Sequence, residues 1–485
     1  MSDLNAFLER EHKLFINGEW AASRGGSRFA TLNPATGQQL ATVVQADESD
    51  VDQAVQAARA AQPGWANMPP AKRAQIIYKL GELISAERDE LARLETMDNG
   101  KPLFESSRGD LPLVAEHFRY YAGWVTKYGG QTVPVSTPGI LNYTLREPVG
   151  VVGAIVPWNF PLLIASWKVA PALAMGNVVV LKPAEQTPLT ALRLAELAIE
   201  AGLPPGVLNV LTGDGRTGAA IVAHNGVDKI SFTGSTEVGK KIVAASVSNL
   251  KRVTLELGGK SANIIFADAN LKRAVRGVTA GIFYNQGELC TAGSRALVER
   301  SIFDQFQAML VEAAQKTKVG DGLAEGTQMG PLVSEEQLER VLGYVEKGKA
   351  EGGTLVTGGS RLDRPGFFLS PTVFNTENQE SAIVREEIFG PVATLIPFDS
   401  EEQAIAIANN SNYGLAGGVW TENLGRAHRV AAAIRAGTIW INTYNNFDPA
   451  SPFGGYKQSG WGREMGPEAL DLYTEVKSVW VNTKQ

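Results

Sequence analysis

Cys290 and Glu256 are the residues of this 485-residue chain whose types and settings point most directly to covalent chemistry. Cys290 is the only cysteine, and it lies in NQGELCTAGSR (285–295), a polar, glycine-flanked stretch that reads as a turn opening a helix. A thiol at a helix N-terminus has a lowered pKa, and thiolate is the nucleophilic form. With an ordinary pKa only about 3% of a thiol is ionised at neutral pH, so a base is needed. Glu256, in LELGGK (255–260) at the end of an apolar segment, could take that proton. It could equally activate a water that later attacks a thioester. The plain alternative for one cysteine is a small buried hydrophobe.

Two glycine-bearing turns offer sites for an anion. TGDGRTG supplies Gly213-x-Gly215-x-x-Gly218 after a strand and before a helix, with Glu237 about twenty residues on. In a chain with 51 glycines this match is weak, and a tight strand–helix turn is the preferred reading. The competitor is FTGSTEVG (232–239), where Gly234 and Ser235 end a strand and open a helix. The free N–H groups and dipole of such a helix suit a phosphate.

The elements that must position these residues follow from periodicity. Residues 50–62 and 71–97 carry helical spacing of apolar positions. Strands are expected at 150–157, 177–183, 207–213 and 229–234, with helices at about 161–175 and 188–201. These apolar runs are nearly continuous, as in a parallel sheet buried on both faces. A second αβ region has strands at 261–267, 295–299, 372–374, 392–398 and 438–442. The segments 130–148 and 475–482 are strand-like arms expected to pair with each other or across a subunit interface.

Composition narrows the function classes. With 45 basic and 51 acidic residues the net charge is −6, and the basic residues are scattered, so no nucleic-acid footprint is present. One cysteine excludes an intramolecular disulfide and a cysteine-based metal site. Four separated histidines add no metal pattern. The charged N-terminus is no secretory signal, and the apolar stretch 149–166 is broken by Pro157, Asn159 and Pro161, so no membrane association is expected. The expected location is cytoplasmic.

The motifs LFINGEW (14–20), PWNFPL (157–162), LKPAEQTP (181–188), FTGSTEVG, LELGGK, NQGELC, EEIFGPV (386–392) and SPFGGYKQSG (451–460) occur in one order along the chain. In them the chain resembles the NAD(P)-dependent aldehyde dehydrogenases, of the class 1/2-like type and the bacterial phenylacetaldehyde dehydrogenase-like branch. The resemblance implies an α/β fold with a Rossmann-type cofactor domain (1–124 and 149–257), an αβ catalytic domain (258–468) and a β oligomerisation arm (125–148 and 469–485). It implies a homodimer or homotetramer.

It further implies that Cys290 attacks an aldehyde, that Asn159 and the Cys290 backbone N–H hold the alkoxide, and that Glu256 activates water against the thioester. Lys168 and Glu464 would relay the proton, and no metal takes part. NAD would be held by Val156, Trp158, Lys182, Glu185, Gly215, Gly234, Ser235, Gly239, Leu257, Gln337, Glu387 and Phe389, with Gly213 to Gly218 near the adenine end. A carboxylate at Glu185 favours NAD, with NADP accepted more weakly.

Phe160, Leu163, Ile164, Trp167, Tyr284, Leu289, Phe447 and Phe453 would line an aldehyde tunnel suited to aromatic or medium-chain substrates. Asp448 keeps a cationic aminoaldehyde or betaine aldehyde as the alternative. Thiol esterase, CoA-acylating and inactive crystallin-like variants of the fold are the other rivals; the intact Asn159, Glu256 and Cys290 set argues against the last, and Glu256 against the CoA-acylating type.

Overall fold

The computed structural model describes residues 2–484; Met1 and Gln485, the outer ends of the expected first and third units, lie outside the described residues. Strands Val151–Ile155, Val178–Lys182, Leu208–Val210, Lys229–Thr233 and Arg252–Glu256 run parallel, and all but the last are buried throughout. Their order across the sheet is Arg252–Glu256, Lys229–Thr233, Val151–Ile155, Val178–Lys182, Leu208–Val210. The chain thus builds outward in one direction, returns to the first strand and builds the other way. At such a reversal the loops leaving neighbouring strands diverge, and a crevice opens at their C-terminal ends. Here it lies after Ile155 and Thr233. Short antiparallel strands complete the eight-stranded sheet: Leu14–Ile16 and Glu19–Ala21 on one edge, Gly460–Trp461 on the other.

A second, seven-stranded sheet has the order Thr354–Thr357, Thr372–Asn375, Val392–Phe398, Arg295–Glu299, Ala262–Ile265, Ala416–Trp420, Thr438–Ile441, with only the first antiparallel to its neighbour. The N-terminal ends of its central strands face the crevice of the first sheet, because the loops before Ala262, Arg295 and Val392 supply part of the crevice wall. The segment that returns to pair Gly460 with Glu256 ties the two sheets together.

The two arms pair with each other: Thr474–Asn482 runs antiparallel to Ile140–Pro148 over nine residues, and Thr132–Val133 adds a third strand. Leu141, Leu145, Val476 and Trp480 remain exposed on this small sheet.

Three expectations need correction. The helical pattern over 71–97 is two helices, Pro70–Ala86 and Arg88–Asn99, because the Glu87 carbonyl accepts from both Glu90 and Leu91 and starts a new turn. Strand Ala416–Trp420 escaped notice because its two glycines interrupt the apolar run. Strands Arg28–Asn33 and Gln38–Val44 precede the first expected helix, in a stretch to which no element was assigned. Among the described residues no helix is long and apolar enough to cross a membrane.

Candidate active site

Helix Pro161–Ala174 is apolar all round and every residue of it is buried, as expected of a helix enclosed by protein. Proline at its first position costs no hydrogen bond, since that N–H is free in any helix. Lys168, its one charged residue, has to be paired at such depth. Its Nζ donates to Glu464 Oε1 at 2.7 Å, and Ser231 Oγ donates to the same oxygen at 3.3 Å. Removing one partner of a buried pair costs ~3–5 kcal/mol. Lys168→Ala is therefore expected to lower the thermal unfolding temperature clearly, as read by calorimetry. An unchanged temperature would remove this pair from the supports of the fold.

The crevice is a cleft of about 340 Å³ whose walls include Pro157, Trp158 and Asn159 from the first loop, Thr233, Gly234 and Ser235 from the second, and Cys290, Glu387 and Phe389 from the second sheet's side. Ser235 caps helix Thr236–Ala245, its Oγ accepting from the Val238 N–H at 3.3 Å. Close approach of the two sheets at this point depends on Gly259: a Cβ there would lie 2.2 Å from the carbonyl oxygen of Cys290.

Cys290 does not open a helix, contrary to the reading from its sequence. It sits in a turn between the 3-10 turn Tyr284–Gly287 and strand Arg295–Glu299. Its thiol is not acidified either. Removal of bulk water pushes it up to about 12, with the carboxylates of Glu387 and Glu256 adding to the rise. Backbone N–H groups of Cys290 and Thr291 oppose this only in part. Glu256 is itself held well above the usual carboxylate range, first by burial and then by the charge of Glu464, against the pull of Lys168 and Arg463. The resting thiol is thus protonated, and Glu256 resists ionisation.

Unsatisfied polar atoms occur here as they do elsewhere in the fold. Asn159 Oδ1, both carboxylate oxygens of Glu256, Thr233 Oγ1 and Glu464 Oε2 are buried without a protein partner. Such atoms are rare because each costs roughly 1–3 kcal/mol. Asn159 and Thr233 line the cleft with Cys290, whereas Glu256 lies outside its walls but near enough to push the thiol up. The Asn159 amide donates one N–H to the Glu288 carbonyl at 2.9 Å, leaving its second N–H free for another acceptor.

Other expected residues fall into three groups. Trp158, Gly234, Ser235, Leu257, Gln337, Glu387, Phe389 and Ile164 line the cleft with Cys290. Glu387 Oε1 accepts from the Gly259 N–H at 2.8 Å, and burial raises its carboxyl to about 7. Gln337 donates to the Phe389 carbonyl at 2.6 Å, and the Phe389 ring meets Trp158 edge-on at 5.2 Å. Lys182 and Glu185 lie outside the cleft walls and pair with each other at 3.3 Å. Val156 joins them through its N–H to the Lys182 carbonyl, and Gly218 approaches Lys182. Gly215 starts a helix capped by Asp214, and Gly239 packs on Leu257.

Phe447, Phe453 and Trp167 form an aromatic group with centroids 5.3–6.4 Å apart. Trp440 and Tyr444 extend it and were missed, having no motif to mark them. Leu163 and Leu289 are buried. Tyr284 stacks on Phe160 at 6.4 Å but also faces a separate surface cleft with Phe104 and Thr279, its hydroxyl donating to Asp110. Asp448 is exposed and spends Oδ1 on the Ala450 N–H at 2.8 Å.

The profile of the aldehyde dehydrogenase family matches residues 20–479. The NAD+ complex of an aldehyde dehydrogenase from Bacillus cereus superposes with a TM-score of 0.98 at 54% identity, covering 100% of this chain and 99% of that one. The mitochondrial aldehyde dehydrogenase of Homo sapiens is 50% identical over 98% of this chain and 92% of its own length. A betaine aldehyde dehydrogenase from Staphylococcus aureus, in complex with NAD+, gives a TM-score of 0.97 at 41% identity, covering 100% and 96%. With a match over nearly its whole length, the chain belongs to the aldehyde dehydrogenase family.

Proposed function

We propose that this enzyme oxidises hydrophobic aldehydes to carboxylic acids through a covalent intermediate on Cys290, with NAD as the hydride acceptor. The observation that carries the reading is the cleft that holds Cys290 beside Asn159, with Glu256 near enough for its charge to act on the thiol. The residues present fit the cofactor. Glu387 has a second carboxylate oxygen free for ribose hydroxyls, the N-terminus of helix Thr236–Ala245 suits a pyrophosphate, and Glu185 beside Lys182 suits an adenine-side ribose while repelling a 2′-phosphate. NAD supplies a two-electron acceptor when bound.

The chain's own residues do the rest. Glu256, once ionised, takes the Cys290 proton, and the sulfur adds to the carbonyl carbon. The free Asn159 N–H and the Cys290 backbone N–H stabilise the alkoxide, a contribution of ~3–4 kcal/mol per donor. Loss of hydride leaves a thioester. Glu256 then removes a proton from water, whose oxygen displaces the sulfur and releases the acid. Lys168 and Glu464 carry the proton onward.

The aromatic group of Trp167, Phe447 and Phe453 supports aromatic or medium-chain aldehydes. Asp448 points the other way, toward a cationic aldehyde of the betaine type, but its carboxylate is exposed and occupied in a local turn. The domains are 1–124 with 149–257, 258–468 and the two arms, following the eight-stranded, seven-stranded and arm sheets except that Gly460–Trp461 crosses to the first, and the apolar residues left on the arm sheet suit a homodimer or homotetramer. The test is NADH fluorescence with phenylacetaldehyde, benzaldehyde, hexanal, acetaldehyde and betaine aldehyde, each with NAD and then NADP. Phenylacetaldehyde or hexanal is expected to exceed betaine aldehyde in kcat/KM by about 10-fold or more, the worth of at least one buried methylene. Preference for betaine aldehyde would overturn the substrate reading, and hydrolysis of a nitrophenyl ester without NAD would reveal esterase activity.

A further inference from the structure

Behind the cleft lies a buried set of charges that the reaction described above does not use. Helix Arg88–Asn99 ends at Gly100, whose φ of 98° belongs to the left-handed region that favours glycine. That turn sends Lys101 inward, where it is fully buried. Its Nζ donates to Asp110 Oδ2 at 2.7 Å, to the Asn159 backbone carbonyl at 3.0 Å and to Glu95 Oε1 at 3.5 Å. The same ammonium stands 4.2 Å from the centroid of the Phe160 ring. All three of its donors are spent, and one goes to the peptide of the residue whose side-chain amide lines the cleft beside Cys290.

The opposite wall reaches that carbonyl too. Asn285 Nδ2 donates to the Asn159 carbonyl at 2.7 Å, while its backbone N–H donates to Glu105 Oε2 at 2.9 Å. Asn285 and Gln286 are non-glycine residues at φ of 44° and 55°, a strained conformation that persists only where neighbours enforce it. This strained run leads within four residues to Cys290. The Asn159 side chain closes the ring by donating to the Glu288 carbonyl. Two loops that are distant in sequence, one carrying the amide and the other the thiol, are therefore clamped at one carbonyl oxygen.

We infer that Lys101 is a positioning residue for the carbonyl attack: acting with Asn285 on the Asn159 carbonyl, it sets the Asn159 amide against the Cys290 sulfur. If Lys101 served only to neutralise carboxylates, Asp110 and Glu95 would satisfy it. The bond to Asn159 and the contact with Phe160 tie it to the site. This inference rests on the reading of Cys290 and Asn159 as the place where the aldehyde is attacked.

The experiment measures the rate of the first-turnover NADH burst, the aldehyde KM, NAD affinity and thermal unfolding for the parent chain, Lys101→Met and Asn285→Asp. The second variant is isosteric and replaces a donor by an acceptor opposite the Asn159 carbonyl. Each is expected to slow the burst about 100-fold, the scale of a misplacement of about 1 Å, with KM and NAD affinity within about threefold of the parent. A folded variant with a parent-like burst would overturn the inference. So would a parallel loss of NAD affinity and burst, or failure of both variants to fold, since these mark a support of the fold alone. A parent chain that forms no NADH with any aldehyde would instead overturn the reading of the cleft itself.

Discussion

Cys290→Ala is expected to abolish NADH formation from every aldehyde while leaving NAD binding measurable. The chain has no other thiol, so no neighbouring sulfur can substitute. Loss of a nucleophile that acts as one unit with its base lowers turnover by ~10⁴–10⁶-fold, and what remains comes from binding and the alkoxide donors alone. Two measurements decide it: NADH fluorescence under saturating aldehyde, and quenching of intrinsic tryptophan fluorescence by NAD, since Trp158 lines the cleft. Ordinary turnover in the variant would end the covalent mechanism.

Glu256→Gln should separate the two half-reactions. An amide cannot take a proton from water or from the Cys290 thiol, so the single equivalent of NADH per chain appears more slowly than in the parent, the thioester then waits, and steady turnover falls by ~10²–10⁴-fold. An unchanged steady rate would refute the role in deacylation. The same substitution has a stability signature. Glu256 in the folded chain is held above its ordinary value of 4.5. The folded state therefore keeps a proton that the unfolded chain gives up, and what this contributes to stability is complete below 4.5 and drains away as pH rises through the folded value. The amide that replaces the carboxyl in the variant does not titrate. The variant's unfolding temperature should therefore gain on the parent's steadily from about pH 5 upward, and parallel curves would show that burial does not perturb this carboxyl. Parent activity should climb over the same interval as Glu256 becomes able to accept protons.

How much of this was legible in the residues depends on whether the information was local. The strands from Val151 to Thr233 were legible because burial on both faces leaves a continuous apolar run, and the turn at Gly234–Ser235 because a strand, a glycine and a capping hydroxyl follow in order; Arg252–Glu256, open at its first two residues, was not. Asn159, Glu256 and Cys290 stood out within recognisable motifs. The state of the thiol did not. A polar sequence around Cys290 suggested a helix start and an acidic thiol, but its environment is set by Glu387 and Glu256, residues 97 and 34 positions away, and by the loss of water between two sheets. The Lys101 network was hidden for the same reason: Lys101, Asn159 and Asn285 meet only after both sheets have formed, and a lysine after a helix-ending glycine resembles any exposed turn.

The solitary cysteine makes the protein its own active-site standard. Any reagent that consumes thiols titrates competent centres one for one, with no background from structural sulfhydryls and no need for denaturation. Because the resting sulfur is protonated at neutral pH, the labelling rate becomes a gauge of how far a bound molecule or a raised pH has primed that centre. Preparations can then be compared per working site rather than per milligram, and a batch whose sulfur has been oxidised is recognised by the equivalents it fails to take up.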